Sequence, residues 1–226
     1  MRRGLTFLAA GIAMLSAACQ QPAIAAEEVV EAPAAQRPAK EGTGLKTAIF
    51  AGGCFWGVEG VFSHVKGVKS AVSGYHGGTE RSARYDVVSS GVTDHAEAVK
   101  VTYDPSVIRY DQLLRIFFSV VTDPTQLNRQ GPDVGAHYRN ALVPMSAEQN
   151  AVAKAYLAQL RAAKLWDRPL VTKIERAQAF YPAETYHQDF MLKNPRHGYI
   201  VRWDAPKVAA LKRLYPGVYS ASFQRN

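Results

Sequence analysis

Cys54 is flanked by glycines, in the run Gly53-Cys54-Phe55-Trp56-Gly57. The apolar residues Val58, Val61, Phe62 and Val65 recur at helical spacing just after it, which puts the thiol between a Gly-Gly turn and the first turn of a helix. Unpaired N–H groups at a helix N-terminus favour the thiolate, so a cysteine there is expected to have a lowered pKa and to be reactive. A free cysteine can also be an inert core residue. The glycines and paired aromatics argue for a site that another molecule approaches closely. Glu97 opens an otherwise apolar, alternating strand, where a buried glutamate is costly unless it has a task. An exposed strand-end glutamate is the alternative. His95-x-Glu97 matches half of a zinc-deaminase motif, but no Pro-Cys-x-x-Cys follows and no His-Glu-x-x-His occurs, so no metal is expected. His76 reads as exposed, and His187 as a packed, hydrogen-bonded residue.

The elements that would position these groups follow from the apolar periodicity. Residues 46–51 read as a strand entering the glycine turn, residues 55–64 as a helix, residues 68–75 as a second strand stopped by Gly77-Gly78, and residues 97–103 as a third stopped by Asp104-Pro105. Residues 79–93 read as loop. Residues 110–121 read as an apolar helix, and the long stretch 122–137 as an irregular, functional loop. A strand over 138–143 follows, then a helix to about residue 163, opened by a capping box at Ser146-x-x-Gln149. A strand over 170–175 and short helices over 184–191 and 206–215 complete the chain. Strands and helices mix without a β-α-β rhythm, which implies an α+β fold with one mixed sheet covered by helices in two layers.

The pentapeptide around Cys54 resembles the active-site signature of the type A peptide methionine sulfoxide reductases. Further motifs follow in the same order. They are Gly74-Tyr75-His76-Gly77-Gly78, then Tyr85, Asp94-His95-Ala96-Glu97-Ala98-Val99, Tyr103-Asp104-Pro105, Asp123-Pro124-Thr125, Gln130 to Arg139 as Gln-Gly-Pro-Asp-Val-Gly-Ala-His-Tyr-Arg, and Ala183-Glu184-Thr185-Tyr186-His187-Gln188. The resemblance spans about residues 49–188 and implies a ferredoxin-like core. It also implies roles. Cys54 would attack the sulfoxide sulfur and become a sulfenic acid. Phe55 and Trp56 would form the pocket for the S-methyl group, and Glu97 would supply the proton that the departing oxygen needs. Tyr85 and Tyr138 would donate hydrogen bonds to that oxygen, and Asp133 would order the loop around Cys54. Specificity for the S epimer is implied, with no bound cofactor and an external thiol as reductant, a thioredoxin-like protein or a small thiol. Many members carry a further cysteine near the C-terminus. This chain has two cysteines in all, and residues 215–226 contain none, so recycling by an external thiol is expected. Asp94 stands where a glycine is common.

The chain has 226 residues, 47% of them apolar and 20% charged, which argues against a coiled coil, collagen or wholesale disorder. Two cysteines exclude a disulfide scaffold and an all-cysteine zinc site. The net charge is +8, yet no Lys/Arg run is dense enough to argue for nucleic acid. Arg2 and Arg3 precede a short uncharged stretch over 5–18, the pattern of a signal peptide. Leu15-Ser16-Ala17-Ala18-Cys19 resembles a lipobox, which would lipidate Cys19; Ala23-Ile24-Ala25 offers an ordinary cleavage site instead. The lipobox is favoured. Residues 1–18 are thus read as signal, 19–44 as a flexible linker rich in Ala, Pro, Glu and Gln, and 45–226 as a catalytic domain with one core. The expectation is an exported, periplasmic monomer that repairs oxidised exported proteins and touches the membrane only through its anchor. A general thiol peroxidase or disulfide exchanger and a non-catalytic binding lipoprotein are the competing readings. The lack of Cys-x-x-Cys argues against the exchanger, and retention of Cys54, Glu97, Tyr85 and Tyr138 together argues against the binding protein.

Overall fold

The computed structural model describes residues 29–225; residues 1–18, read from the sequence as a signal, Cys19 and residues 20–28 lie outside them. Eight strands and six helices are described: β1 (Lys46–Gly52), α1 (Phe55–Ser63), β2 (Val68–His76), α2 (Tyr85–Val88), β3 (Ala96–Tyr103), α3 (Tyr110–Ile116), β4 (Arg129–Gln130), β5 (Asp133–Val134), β6 (Asn140–Val143), α4 (Ala147–Ala163), β7 (Lys173–Ile174), β8 (Phe180–Pro182), α5 (Phe190–Lys193) and α6 (Ala205–Leu214). The main sheet runs β7-β6-β1-β3-β2-β8. All its pairings are antiparallel except β6 with β7, so the sheet is mixed. The order β6-β1-β3-β2, with α1 joining β1 to β2 and α3 lying between β3 and β6, is the split β-α-β arrangement of a ferredoxin-like core. The fold is α+β.

Alternation along the strands divides the core. Phe50, Val99, Val101 and Leu142 face the helices and join Phe62, Leu113, Phe117 and Tyr156 in the main core. Ile49, Ala51, Ala96, Ala98, Ala141 and Val143 form a smaller cluster against Phe180.

Several elements differ from the sequence reading. The helix expected over 110–121 is α-helical only to Ile116 and continues as a π-turn at Phe117–Val121, entirely buried. The loop 122–137 contains the β4–β5 hairpin. Of the helix expected over 184–191, only Phe190–Lys193 is regular, because Asp189 takes a left-handed conformation with φ 55°. The Ser146 hydroxyl caps α4 by accepting from Gln149 N–H, but the Gln149 carbonyl accepts from Met145 N–H rather than closing the box.

The largest correction concerns the linker. Residues 29–44 are seated on the domain, not free of it. Ala32 N–H donates to Ser119 Oγ at 3.0 Å and Ala39 N–H to Asp111 Oδ1 at 2.8 Å, and both alanines are buried. Tyr156 Oη donates to the Pro33 carbonyl at 2.7 Å, and Glu41 accepts from Tyr103 Oη and Tyr110 N–H. Small Ala and Pro residues leave the strap's backbone open to polar side chains of α3, α4 and β3, and composition alone does not reveal such partners.

Candidate active site

Sheet register assembles the site. Because β1 is antiparallel to β3 and to β6, its C-terminal end lies beside their N-terminal ends, with Phe50 opposite Val99 and Gly52 opposite Asn140. Cys54, two residues past β1, is therefore brought to Glu97 at the start of β3 and to Tyr138 just before β6. Tyr75, at the end of β2, pairs with Glu97. The two glycines before the thiol are required by packing. A Cβ at Gly52 would lie 2.7 Å from the Phe117 ring. Gly53 has φ +91°, and a Cβ there would lie 2.4 Å from Gln130 Cβ. Gln130 is held in turn by a buried network. Its carbonyl accepts from Thr122 Oγ1 at 2.7 Å, Asn140 Nδ2 donates to the same Thr122 oxygen, and Thr172 donates to Asn140 at 2.9 Å.

Cys54 is the N-cap of α1 and half-buried. The backbone N–H of Trp56, in the first turn of α1, favours the ionised thiol, as a helix N-terminus would. The thiol is nonetheless pushed up, not down: burial dominates, and Glu97, Asp204 and Asp133 add their negative charge. The expectation of a lowered pKa is thus corrected. One turn of helix dipole does not outweigh loss of water and three carboxyl groups. Phe55 N–H, the first free donor of α1, goes to Glu97 Oε2 at 3.0 Å. Burial raises the Glu97 carboxyl to about 8, with Asp133 and Asp204 reinforcing it and the Phe55 hydrogen bond opposing. Glu97 is buried at 2% exposure, which removes the exposed strand-end alternative.

Tyr85 and Tyr138 both face this pair. Burial, with the Glu97 charge second, raises Tyr85 to about 12 and raises Tyr138 further still. Both phenols keep their protons at neutral pH and can donate. Tyr85 N–H donates to Glu184 Oε1 at 2.9 Å, while Tyr75 Oη donates to Glu184 Oε2 at 2.8 Å. Asp133 accepts from Tyr199 Oη. Arg139, next to Tyr138, is fixed by Glu175, which accepts from its Nε at 2.7 Å.

The rings of Phe55 and Trp56 stand on α1 beside the thiol, Phe55 buried and Trp56 partly exposed. Trp56 stacks on Phe190 at 3.7 Å with a 6° interplanar angle, meets Tyr199 edge-on at 5.9 Å, and donates from Nε1 to His187 Nδ1 at 3.0 Å. His187 is packed as expected, against Phe55 and Tyr85 as well. His76 is buried at 1% exposure, contrary to expectation, because β8 and Glu175 cover it. Cys54, Phe55, Trp56, Tyr85, Glu97, Asp133 and Tyr138 thus converge at one end of the sheet. Tyr199, Phe190, His187 and the buried Asp204, whose Oδ1 would lie 2.3 Å from a Cβ at Gly57, complete the surroundings. The sequence reading assigned no site role to these four. They come from a C-terminal stretch whose pattern points only to short helices, and only the -Tyr-His-Gln- motif marks part of it. Among the described residues, no group of three His, Cys, Asp or Glu could hold a metal ion.

The arrangement suits transfer of an oxygen atom onto a thiol: a nucleophilic sulfur, a protonated acid, two neutral hydrogen-bond donors and an aromatic wall. Comparison with known proteins gives the family. A family model for peptide methionine sulfoxide reductase matches residues 46–216. The chain is 56% identical over 181 residues to peptide methionine sulfoxide reductase MsrA 2 of Mesorhizobium japonicum, covering 80% of this chain and 93% of that one. It is 48% identical over 174 residues to MsrA of Deinococcus radiodurans, covering 77% and 84%. Among solved structures, reduced Mxr1 from Saccharomyces cerevisiae matches at TM-score 0.61 and 34% identity, covering 68% of this chain and 87% of that one. Methionine sulfoxide reductase A of Corynebacterium diphtheriae matches at TM-score 0.58 and 28% identity, covering 78% and 93%. With its sheet, its thiol and acid at the sheet's end, and these likenesses, the chain belongs to the peptide methionine sulfoxide reductase family of oxidoreductases.

Proposed function

We propose that the enzyme reduces the S epimer of methionine sulfoxide, free or in proteins, with Cys54 as nucleophile and Glu97 as acid. Trp56 and Phe55 seat the S-methyl group. Aromatic walls favour it, and sulfur itself packs well against rings. Tyr85 and Tyr138 hold the sulfoxide oxygen and polarise the S–O bond. Cys54 sulfur attacks the sulfoxide sulfur while Glu97 protonates the oxygen, and the thiol proton is released as the S–S contact forms. In the collapse the substrate S–O bond and the transient S–S contact break, the hydroxyl passes to the Cys54 sulfur as sulfenic acid, the thiol proton returns to Glu97 and the thioether leaves, so the sulfoxide gains two electrons and the thiol loses them. Two equivalents of an external thiol then regenerate Cys54, yielding a disulfide and water. A thioredoxin-like protein or a small thiol is the reductant, since Cys19 is the only other cysteine in the chain.

The observation that carries this reading is Glu97, a carboxyl still largely protonated at neutral pH, bonded to the N–H of the residue next to Cys54. A raised resting thiol is compatible with it. The Trp56 backbone N–H favours charge as it develops on sulfur, and a Glu97 that is neutral before the attack adds no charge against the thiolate. We further propose that the charged, apolar N-terminal stretch exports the enzyme to the periplasm, as a lipoprotein anchored through Cys19, where it acts as a monomer on oxidised exported proteins.

A racemic methionine sulfoxide peptide with dithiothreitol tests the stereochemistry: conversion should stop at about half, because the two epimers need different reductases. Conversion well past half, or turnover by Cys54→Ser, contradicts the proposal.

A further inference from the structure

Glu59 is a buried carboxyl that the chemistry above does not use. It lies on α1, three residues after Trp56, and is 1% exposed. Its Oε2 accepts from Ser73 Oγ of β2 at 2.6 Å, and its Oε1 accepts from Asp189 N–H at 2.8 Å. Burying a carboxyl in a helix wall is costly unless its bonds fix something that packing alone leaves loose.

Asp189 is such a place. Its φ of 55° is left-handed, strained for a residue with a side chain, and it turns the chain sharply between Gln188 and α5. Two partners of the Trp56 indole hang on that turn, while Tyr199 and His197 meet the ring edge-on from further along the chain. On one side Phe190 stacks on the ring at 3.7 Å; on the other His187 accepts the indole N–H at 3.0 Å. Gly60 lets the same segment come close, since a Cβ there would lie 2.3 Å from Met191 Cε.

We propose that Glu59 is a positioning residue for the substrate pocket: by holding the Asp189 backbone to α1, it locks the Phe190–His187 clasp that orients the Trp56 indole. The circuit is closed, because α1 carries both Trp56 and the carboxyl that fixes the indole's partners. Glu59 touches neither the thiol nor the acid, so its effect belongs to substrate binding rather than to the chemical step. This rests on Trp56 being a wall of the substrate pocket.

The test uses the full chain with Trp166→Phe and Trp203→Phe, so that Trp56 is the single tryptophan. Glu59→Met keeps length but removes both acceptors; Glu59→Asp keeps the acid but withdraws it; Glu59→Gln can still accept from Asp189 N–H and donate to Ser73. Met and Asp should red-shift Trp56 emission and raise KM about tenfold, the consequence of losing buried hydrogen bonds. The single-turnover rate at saturating substrate should change less than about threefold, because the chemical step does not involve Glu59. Gln should restore both emission and KM. Unshifted emission in Glu59→Met and Glu59→Asp overturns the proposal, as does a Gln variant as impaired as Met. If Met fails to fold, the Asp variant decides alone. Shifted emission with unchanged KM upholds the positioning of Trp56 and instead rejects Trp56 as a pocket wall.

Discussion

Replacing Glu97 with Gln separates the acid from the nucleophile, because the structure gives the two effects opposite signs. The Gln carbonyl can accept the Phe55 N–H that Glu97 now accepts at 3.0 Å, so the loop keeps its shape. With its carboxyl raised to about 8 by burial, Glu97 is mostly protonated at pH 7, and Gln mimics that neutral form. Only the transferable proton is lost. That should slow single-turnover reduction by roughly 10²–10⁴-fold, or about 3–5 kcal/mol of barrier. The wild-type rate should fall as pH rises through about 8, where the acid is titrated away, and the residual rate of Glu97→Gln should not fall there. The thiol should respond the other way. The Glu97 charge is the second cause, after burial, of the raised Cys54 pKa, so the variant should be alkylated by iodoacetamide faster than wild type above pH 8. Stability follows the same sign. A folded pKa above the unfolded value favours folding fully below about 4.5, an advantage lost as pH rises through about 8. Glu97→Gln should therefore gain stability relative to wild type on going from pH 5 to pH 9. Wild-type single-turnover rates in Glu97→Gln, or slower alkylation above pH 8, would refute the reasoning.

Three further outcomes are expected. Burial works against the Glu175 carboxylate, yet the His76 ring 3.6 Å away and two hydrogen bonds from Arg139 hold it at about 2, so it stabilises the fold above pH 4.5 and loses that as pH falls through 2; Glu175→Gln should cost on the order of 3 kcal/mol at pH 7 in urea unfolding and flatten the acid limb. Deleting residues 1–44 strips partners from the buried Ser119 and Asp111 and from Tyr103, and should cost several kcal/mol at ~1 kcal/mol per lost bond, while the folded fraction keeps its turnover. Gly53→Ala meets both a φ of +91° and a 2.4 Å contact with Gln130, and should lower turnover more than about tenfold with intact secondary structure by circular dichroism; wild-type activity would show that the loop yields.

The parts of the molecule legible in the sequence are those set by local pattern. Alternation placed β1, β2 and β3 within a residue of where they stand, and the Gly-Gly turn placed Cys54 at the mouth of α1. Glu97 was readable as a costly glutamate in an apolar strand, and burial explains its raised pKa. What escaped depends on distant partners. His76 reads as exposed until β8 covers it, and residues 29–44 read as tether until Ser119, Asp111 and Tyr156 accept them. The thiol's raised pKa is not legible in the sequence, because the helix dipole is local whereas Asp133 and Asp204 arrive from 79 and 150 residues away. The same distance hid Phe190 and Tyr199, which pack on Trp56 from the other end of the chain.

In the proposed reaction Cys54 itself takes the sulfoxide oxygen. Intact-mass spectrometry of the enzyme after one equivalent of S-epimer peptide, without reductant, tests it directly. One added oxygen should be found on Cys54, reactive toward dimedone and removed by an added thiol with return of activity. Methionine formed while Cys54 gains no oxygen, or a protein that has lost two hydrogens through a bond from Cys54 to Cys19, would contradict it.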